Sequence, residues 1–280
     1  MYVRGAGTSC HFSSEPLCDT MIVEDVMSVN PIWVAPGEFV TKARELMRYN
    51  NIQSLPVVRN GKYEGMITAQ DIINVTSTKS DVTIDGYLRL DVPTVTPSMN
   101  LATAARKMLT SEEGRMPVLL EGGRIIGVLS IVDMFEGIDE MGIPDVPVRD
   151  AMTRKVIVCE PTDHISRVWS NMVKFGVSGL PVVRGGMEVV GMITREDLLK
   201  RGYVRYEQEA DNIHRPSSTV QMIMSTPAIT INEDDRLKTA AEIFRDKGIG
   251  RLPVLQNKKM TGIIDRYDIL KVCRRLMAVE

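Results

Sequence analysis

A chain of 280 residues that is 44% hydrophobic is long enough for an ordinary buried core and for two halves of conventional domain size. Its formal charge of -2 and pI of about 6.0 give no global attraction to nucleic acid or to an anionic membrane, so any positive site must be made locally. No window is apolar for long enough to span a bilayer and residues 1–20 lack the apolar core of a signal peptide, so the expectation is a globular, cytoplasmic protein. Cys10, Cys18, Cys159 and Cys273 form no Cys-x-x-Cys pair, so spacing encodes neither a disulfide framework nor a zinc site, and reduced thiols are expected.

In chain order, residues 1–22 show no periodicity and read as a loosely docked lead-in. Cys10, His11, Cys18 and Asp19 carry metal-ligand chemistry, but their spacing matches no metal site, and chance is the better account. Four copies of one unit follow, at 23–76, 83–137, 148–201 and 220–273. In the first, Ile32-Trp33-Val34 predicts a strand and Pro36 opens a helix that carries Val40, Ala43 and Met47, with Arg44 breaking the apolar stripe. The aligned helices carry Leu101-Ala104-Ala105-Met108, Ile165-Val168-Trp169-Met172 and Leu237-Ala240-Ala241-Phe244, at i, i+3, i+4, i+7, the spacing of one amphipathic face.

After each helix comes a short buried strand: Leu55-Pro-Val-Val, Met116-Pro-Val-Leu, Leu180-Pro-Val-Val or Leu252-Pro-Val-Leu, with the prolines spaced by 61, 64 and 72 residues. Asn60-Gly61, Gly122-Gly123 and Gly185-Gly186 read as tight hairpin turns, with Asn257-Lys258 at the fourth joint. The returning strands read Gly65-Met-Ile-Thr68-Ala-Gln-Asp71, Gly127-Val-Leu-Ser130-Ile-Val-Asp133, Gly191-Met-Ile-Thr194-Arg-Glu-Asp197 and Gly262-Ile-Ile-Asp265-Arg-Tyr-Asp268. Each then opens a short helix. The unit is β-α-β-β-α, an α/β fold. Gly137 to Pro147 reads as the joint between the halves, and Arg201 to Thr219, polar and long, as the segment expected to be most mobile.

The fourfold Leu-Pro-Val-Val followed by Gly-hydrophobic-hydrophobic-Thr/Ser-x-x-Asp resembles the cystathionine-β-synthase-type (CBS) domains, over residues 23 to 271. The resemblance implies that repeats pair by pseudo-twofold symmetry into two Bateman modules, which stack into a disk as in the γ subunit of AMP-activated protein kinase. It also implies that clefts between paired repeats bind AMP, ADP or ATP, with the motif aspartate on the ribose. Carried over residue by residue, Thr68 and Asp71 would face Val92 and Pro93 and receive Arg115. Thr194 and Asp197 would face Ala228 and Ile229 and receive Arg251. Ser130 and Asp133 would face Pro31 and Ile32 and meet Gln53 and Ser54, and Asp268 would face Val156 and Ile157 and meet Val177 and Ser178. Neither of the last two pairs supplies a cation. Gly114 and Gly250 stand where the kinase subunit has histidine, and Asp265 stands where it has a hydroxyl.

Beside the resemblance, the residues themselves allow a second reading. Thr68 and Asp71, and their counterparts, form a helix cap in which each partner stabilises orphan amides by on the order of 1 kcal/mol. The same helix start offers amides and a hydroxyl to phosphate, and the two roles can coexist. The leading functional expectation is a regulatory protein that senses an adenosine nucleotide and signals to an unidentified partner protein, with a homodimer as a further assembly. S-adenosylmethionine or methylthioadenosine is the alternative ligand, since each offers a base and ribose diol without phosphate. A purely structural scaffold is the other class. No catalytic constellation is expected, because His11, His164 and His214 occur in unrelated contexts and Cys159 sits in a predicted strand beside Glu160.

Overall fold

The computed structural model describes residues 21–73, 75, 81–110, 114–200 and 218–277; the four candidate metal ligands and most of the 201–219 segment lie outside them. Its strands are β1 (Ser28–Val29), β2 (Ser54–Arg59), β3 (Lys62–Thr68), β4 (Arg115–Leu119), β5 (Ile125–Ser130), β6 (Gly179–Arg184), β7 (Glu188–Thr194), β8 (Ile231–Asn232), β9 (Arg251–Gln256) and β10 (Lys259–Asp265). Each repeat is built on one antiparallel hairpin: β2 with β3, β4 with β5, β6 with β7, β9 with β10. The Pro56, Pro117 and Pro181 carbonyls accept from Val34, Val95 and Cys159 of a segment that runs parallel to the same hairpin. Because that edge faces away from the returning strand, proline removes no bond from the hairpin.

The outer edge of each hairpin is completed by a different repeat. Ser28 pairs with Val128, Arg89 with Met66, Thr153 with Ile263 and Ser225 with Met192, so repeats 1 and 2 exchange segments reciprocally, as do repeats 3 and 4. This close crossing is why the motif begins with glycine. A Cβ at Gly127 would lie 2.8 Å from the Ser28 carbonyl oxygen, and one at Gly191 would lie 2.7 Å from that of Ser225. Each repeat's leading residues also dock on the long helix of its partner. The Leu101 amide donates to Met21, Val40 to Val82, Leu237 to Val146 and Ile165 to Ser218.

The long helices Val40–Tyr49, Leu101–Met108, Ile165–Lys174 and Leu237–Lys247 bury the apolar residues that the periodicity marks out, including Ala43, Met108, Val168 and Phe244. Arg44, which interrupts the first stripe, donates from Nη2 to the carbonyls of Ile72 (2.9 Å) and Val75 (3.0 Å), a cation at the end of the short helix Ala69–Ile73. Repeats 2 and 4 share one continuous core, in which Phe135 and Phe244 meet edge to face at 6.0 Å between centroids. Repeats 1 and 3 bury separate clusters. A polar link joins these two: Arg195 Nη1 donates to Gln70 Oε1 at 2.6 Å.

Several expectations are corrected. The helix of repeat 1 begins at Val40, not Pro36; Pro36 and Gly37 form a turn whose Gly37 amide donates to Asp85. The strand expected at Ile32-Trp33-Val34 contracts to the Val34 bridge, because the two preceding residues cross from one hairpin to the other with 39% and 50% exposure. Gly137 lies inside the helix Ile131–Met141, where a Cβ would meet Leu101 Cδ2 at 2.6 Å, so it serves packing and not a joint. At the third hairpin the left-handed residues are Gly186 and Met187, not Gly185. At the fourth, Asn257 and Lys258 both adopt positive φ, since Asn tolerates it and the two-residue turn imposes it on Lys. The lead-in is docked by its last residues, Ile22 pairing with Asn100, and the segment 201–219 by its own, Thr219 pairing with His164.

Candidate functional site

At the end of each hairpin the returning strand passes directly into a helix: Ala69–Ile73, Ile131–Met141, Arg195–Lys200 or Arg266–Met277. The cap geometry is reciprocal in all four. Thr68 donates its amide to Asp71 Oδ2 (2.9 Å) and accepts the Asp71 amide on Oγ1 (3.3 Å). Ser130 and Asp133 do the same at 2.7 and 3.2 Å, Thr194 and Asp197 at 2.8 and 3.2 Å, and Asp265 and Asp268 at 3.1 Å in both directions. The capping role is therefore real at every copy, and each box satisfies two helix-start amides.

The four carboxylates differ in what else they meet. Ser28 Oγ, from the exchanged segment, donates to Asp133 Oδ1 at 3.3 Å. Asp71 is held in a bidentate ion pair by Arg89, a residue that the motif comparison did not single out. Asp268, 7% exposed, is approached by Lys271 Nζ at 3.2 Å, so a cation is present where the carried-over pattern supplied none. Burial and the neighbouring Asp265 push the Asp268 carboxyl up to about 6, against the opposing pull of Lys271.

The two arginines before Leu-Pro and Met-Pro sit on the hairpins opposite their own caps, Arg115 across from Ser130 and Arg251 across from Asp265. Each guanidinium reaches over the local twofold to a serine of the paired repeat. Arg115 Nη1 donates to Ser54 Oγ at 3.3 Å, and Arg251 Nη2 to Ser178 Oγ at 2.5 Å. Burial pulls both guanidinium pKa values down, while Asp133 acts against this at Arg115 and Asp265 at Arg251. The CBS resemblance implies that Arg115 serves the Asp71 cap and Arg251 the Asp197 cap. Ser54 lies across from Thr68 on the first hairpin, and Arg251 Nη1 also donates to the carbonyl of Gly179, across from Thr194, so each guanidinium stands between its own repeat's cap and the expected cap of the paired repeat.

The expected cleft walls fall in the segments that cross between paired hairpins. Pro31 and Ile32 lie between Ser28 on β5 and Val34 on β2; Val92 and Pro93 between Arg89 and Val95; Val156 and Ile157 between Thr153 and Cys159; Ala228 and Ile229 between Ser225 and Ile231. Gln53 and Val177 flank the serines, and each carbonyl is engaged by its own repeat, Gln53 by the Ala69 amide and Val177 by Arg195 Nη2. Among the described residues no group of three or more His, Cys, Asp or Glu side chains is arranged to hold a metal. Burial raises the Cys159 thiol to about 12, which keeps it protonated and unreactive. No helix among the described residues is long and apolar enough to cross a membrane.

The family model for the CBS domain matches residues 23–77, 84–140, 148–203 and 220–275. The chain belongs to the CBS-domain family. Its exchanged pairs are two Bateman modules, of repeats 1 with 2 and 3 with 4. The chain is similar to protein MJ1225 of Methanocaldococcus jannaschii, 30% identical over 269 residues that cover 86% of this chain and 94% of that protein. The crystal structure of MJ1225, described as a candidate archaeal homologue of g-AMPK, superposes with a TM-score of 0.80 at 26% identity over 90% of this chain and 100% of that one. MJ1404 of the same organism is 29% identical over 259 residues, and the chain spans 61% of its length. A conserved protein of Pyrococcus horikoshii shares the fold, with a TM-score of 0.66 at 23% identity over 90% of this chain and 99% of that one.

Proposed function

We propose that this CBS-domain protein is a regulatory sensor that binds an adenosine nucleotide, AMP, ADP or ATP, in the clefts between paired repeats and signals its occupancy to a partner protein. The observation that carries this reading is the pairing of capped carboxylates with an arginine at the local twofold of each module. A carboxylate accepts the two hydroxyls of a ribose, and a buried guanidinium makes charge-assisted bonds to phosphate. The similarity to MJ1225 supports the same reading. Asp133 with Ser130, Ser54 and the Pro31-Ile32 segment, and Asp197 with Thr194 and the Ala228-Ile229 segment, are the clefts best suited to it.

A second ligand chemistry is favoured at one cleft. Asp265 replaces the hydroxyl cap and adds negative charge beside Asp268, which disfavours phosphate there and suits a phosphate-free adenosyl ligand, the sulfonium S-adenosylmethionine or the thioether methylthioadenosine. Thermal unfolding with AMP, ADP, ATP, adenosine, S-adenosylmethionine and methylthioadenosine tests the proposal. A ligand at a hundred times its Kd stabilises the native state by about 2.7 kcal/mol. A shift with the nucleotides supports the sensor, whereas no shift with any of the six supports the scaffold.

A further inference from the structure

We propose that Arg89 closes the Asp71 cleft to a ribose diol, so that this cleft, unlike those of Asp133 and Asp197, takes up no AMP. The proposal rests on the adenosine reading above.

The pairing between repeats gives four equivalent positions, each opposite the residue that follows the motif glycine. They are Ser28 opposite Val128, Thr153 opposite Ile263, Ser225 opposite Met192 and Arg89 opposite Met66. Three of the four carry a small hydroxyl; the fourth carries an arginine. Where the small side chain contacts a motif carboxylate, the contact is a single long one, Ser28 Oγ to Asp133 Oδ1 at 3.3 Å. Arg89 instead donates from Nε to Asp71 Oδ1 and Oδ2 at 2.9 and 3.0 Å, and from Nη2 to Oδ1 at 2.8 Å.

The cap adds the Thr68 amide at 2.9 Å and Thr68 Oγ1 at 2.6 Å, both on Oδ2. A carboxylate offers about four lone-pair positions. Five contacts from four donor hydrogens, the Arg89 Nε–H being shared between both oxygens, therefore fill these positions on Asp71, and the two that a 2′,3′-diol requires are taken. At Asp133 the Ser130 amide and the Ser28 hydroxyl leave that capacity in place. Displacing Arg89 would also strip a partly buried ion pair of its geometry, since the Asp71 side chain is only 14% exposed, and a neutral diol offers no charge in return. The cleft has its acid, but the neighbouring repeat has covered it.

The test uses the full chain and calorimetric titration with AMP. Arg89→Ser restores the hydroxyl found in the other three repeats and should add one AMP per chain to the wild-type stoichiometry. Adding Asp71→Ala to Arg89→Ser should remove that extra site. Arg89→Gln, which keeps most of the side-chain volume, should show the same gain and guards against a folding defect in the smaller variant. Wild-type protein that binds AMP, with neither Arg89 variant gaining a site while both melt as wild type, overturns the latch and leaves the sensor standing. A crystal structure of the wild type with AMP on Asp71 overturns it too. No heat with AMP or adenosine in any variant overturns the sensor reading and the latch with it.

Discussion

Asp268 should make this protein less stable as the pH rises through the mildly acidic range. Its carboxyl stands at about 6 in the folded chain against 3.8 for an unperturbed group, because burial and Asp265 both oppose ionisation. The folded state thus holds the proton more tightly than the unfolded chain does, so the contribution is fully present below about pH 4 and is lost as pH rises through about 6. At about 1.36 kcal/mol per pH unit, the displacement converts to about 3 kcal/mol. The chain carries 36 acidic residues, so the signal is the difference between wild type and Asp268→Asn and not the wild-type curve alone. Urea unfolding at intervals from pH 4 to pH 7.5 should show the variant gaining about 3 kcal/mol relative to wild type across that range. Asp265→Thr, which removes the neighbouring charge and restores a hydroxyl cap, should shrink the wild-type slope and admit the phosphate of AMP to this cleft. Parallel curves for wild type and Asp268→Asn, or a variant that loses ground as pH rises, would refute the reasoning.

Three further outcomes follow from the packing and from the arginines. Gly191→Ala places a Cβ 2.7 Å from the Ser225 carbonyl oxygen and should cost about 1–3 kcal/mol in denaturant unfolding, whereas Gly185→Ala, with open space around it, should cost far less. Phe244→Ala removes one ring of the edge-to-face pair in the core that repeats 2 and 4 share, and chemical denaturation should register a loss of about 3–5 kcal/mol. Arg251→Ala should weaken AMP much more than adenosine in parallel titrations; equal losses would mean that this guanidinium does not touch phosphate.

The architecture was legible because each repeat states it again. The helix stripes Leu101-Ala104-Ala105-Met108 and Leu237-Ala240-Ala241-Phe244 are buried as their periodicity requires, and the Leu-Pro strands fall where the prolines mark them. What could not be read is what depends on the partner repeat. The motif glycines recur in the returning strands without a local reason, and they exist because another repeat's backbone crosses within 3.1 Å of where a side chain would begin. Arg89 carries no motif signal at all. Its role appears only once the pairing opposite Met66 is known, although aligning the four repeats at their leading segments would have shown an arginine against Ser28, Thr153 and Ser225. Arg115 and Arg251 stand out in the motif, but their reach to Ser54 and Ser178 of the paired repeat depends on how the hairpins meet, which sequence does not encode directly.

The capped carboxylates either bind ribose or serve as helix caps alone. Calorimetric titration of AMP into wild-type protein, Asp133→Ala and Asp197→Ala measures this directly. Each substitution should remove one AMP per chain while lowering stability by only the 1 kcal/mol or so that a lost helix cap costs. Unchanged stoichiometry in both variants would contradict the account and leave the four aspartates as helix caps alone.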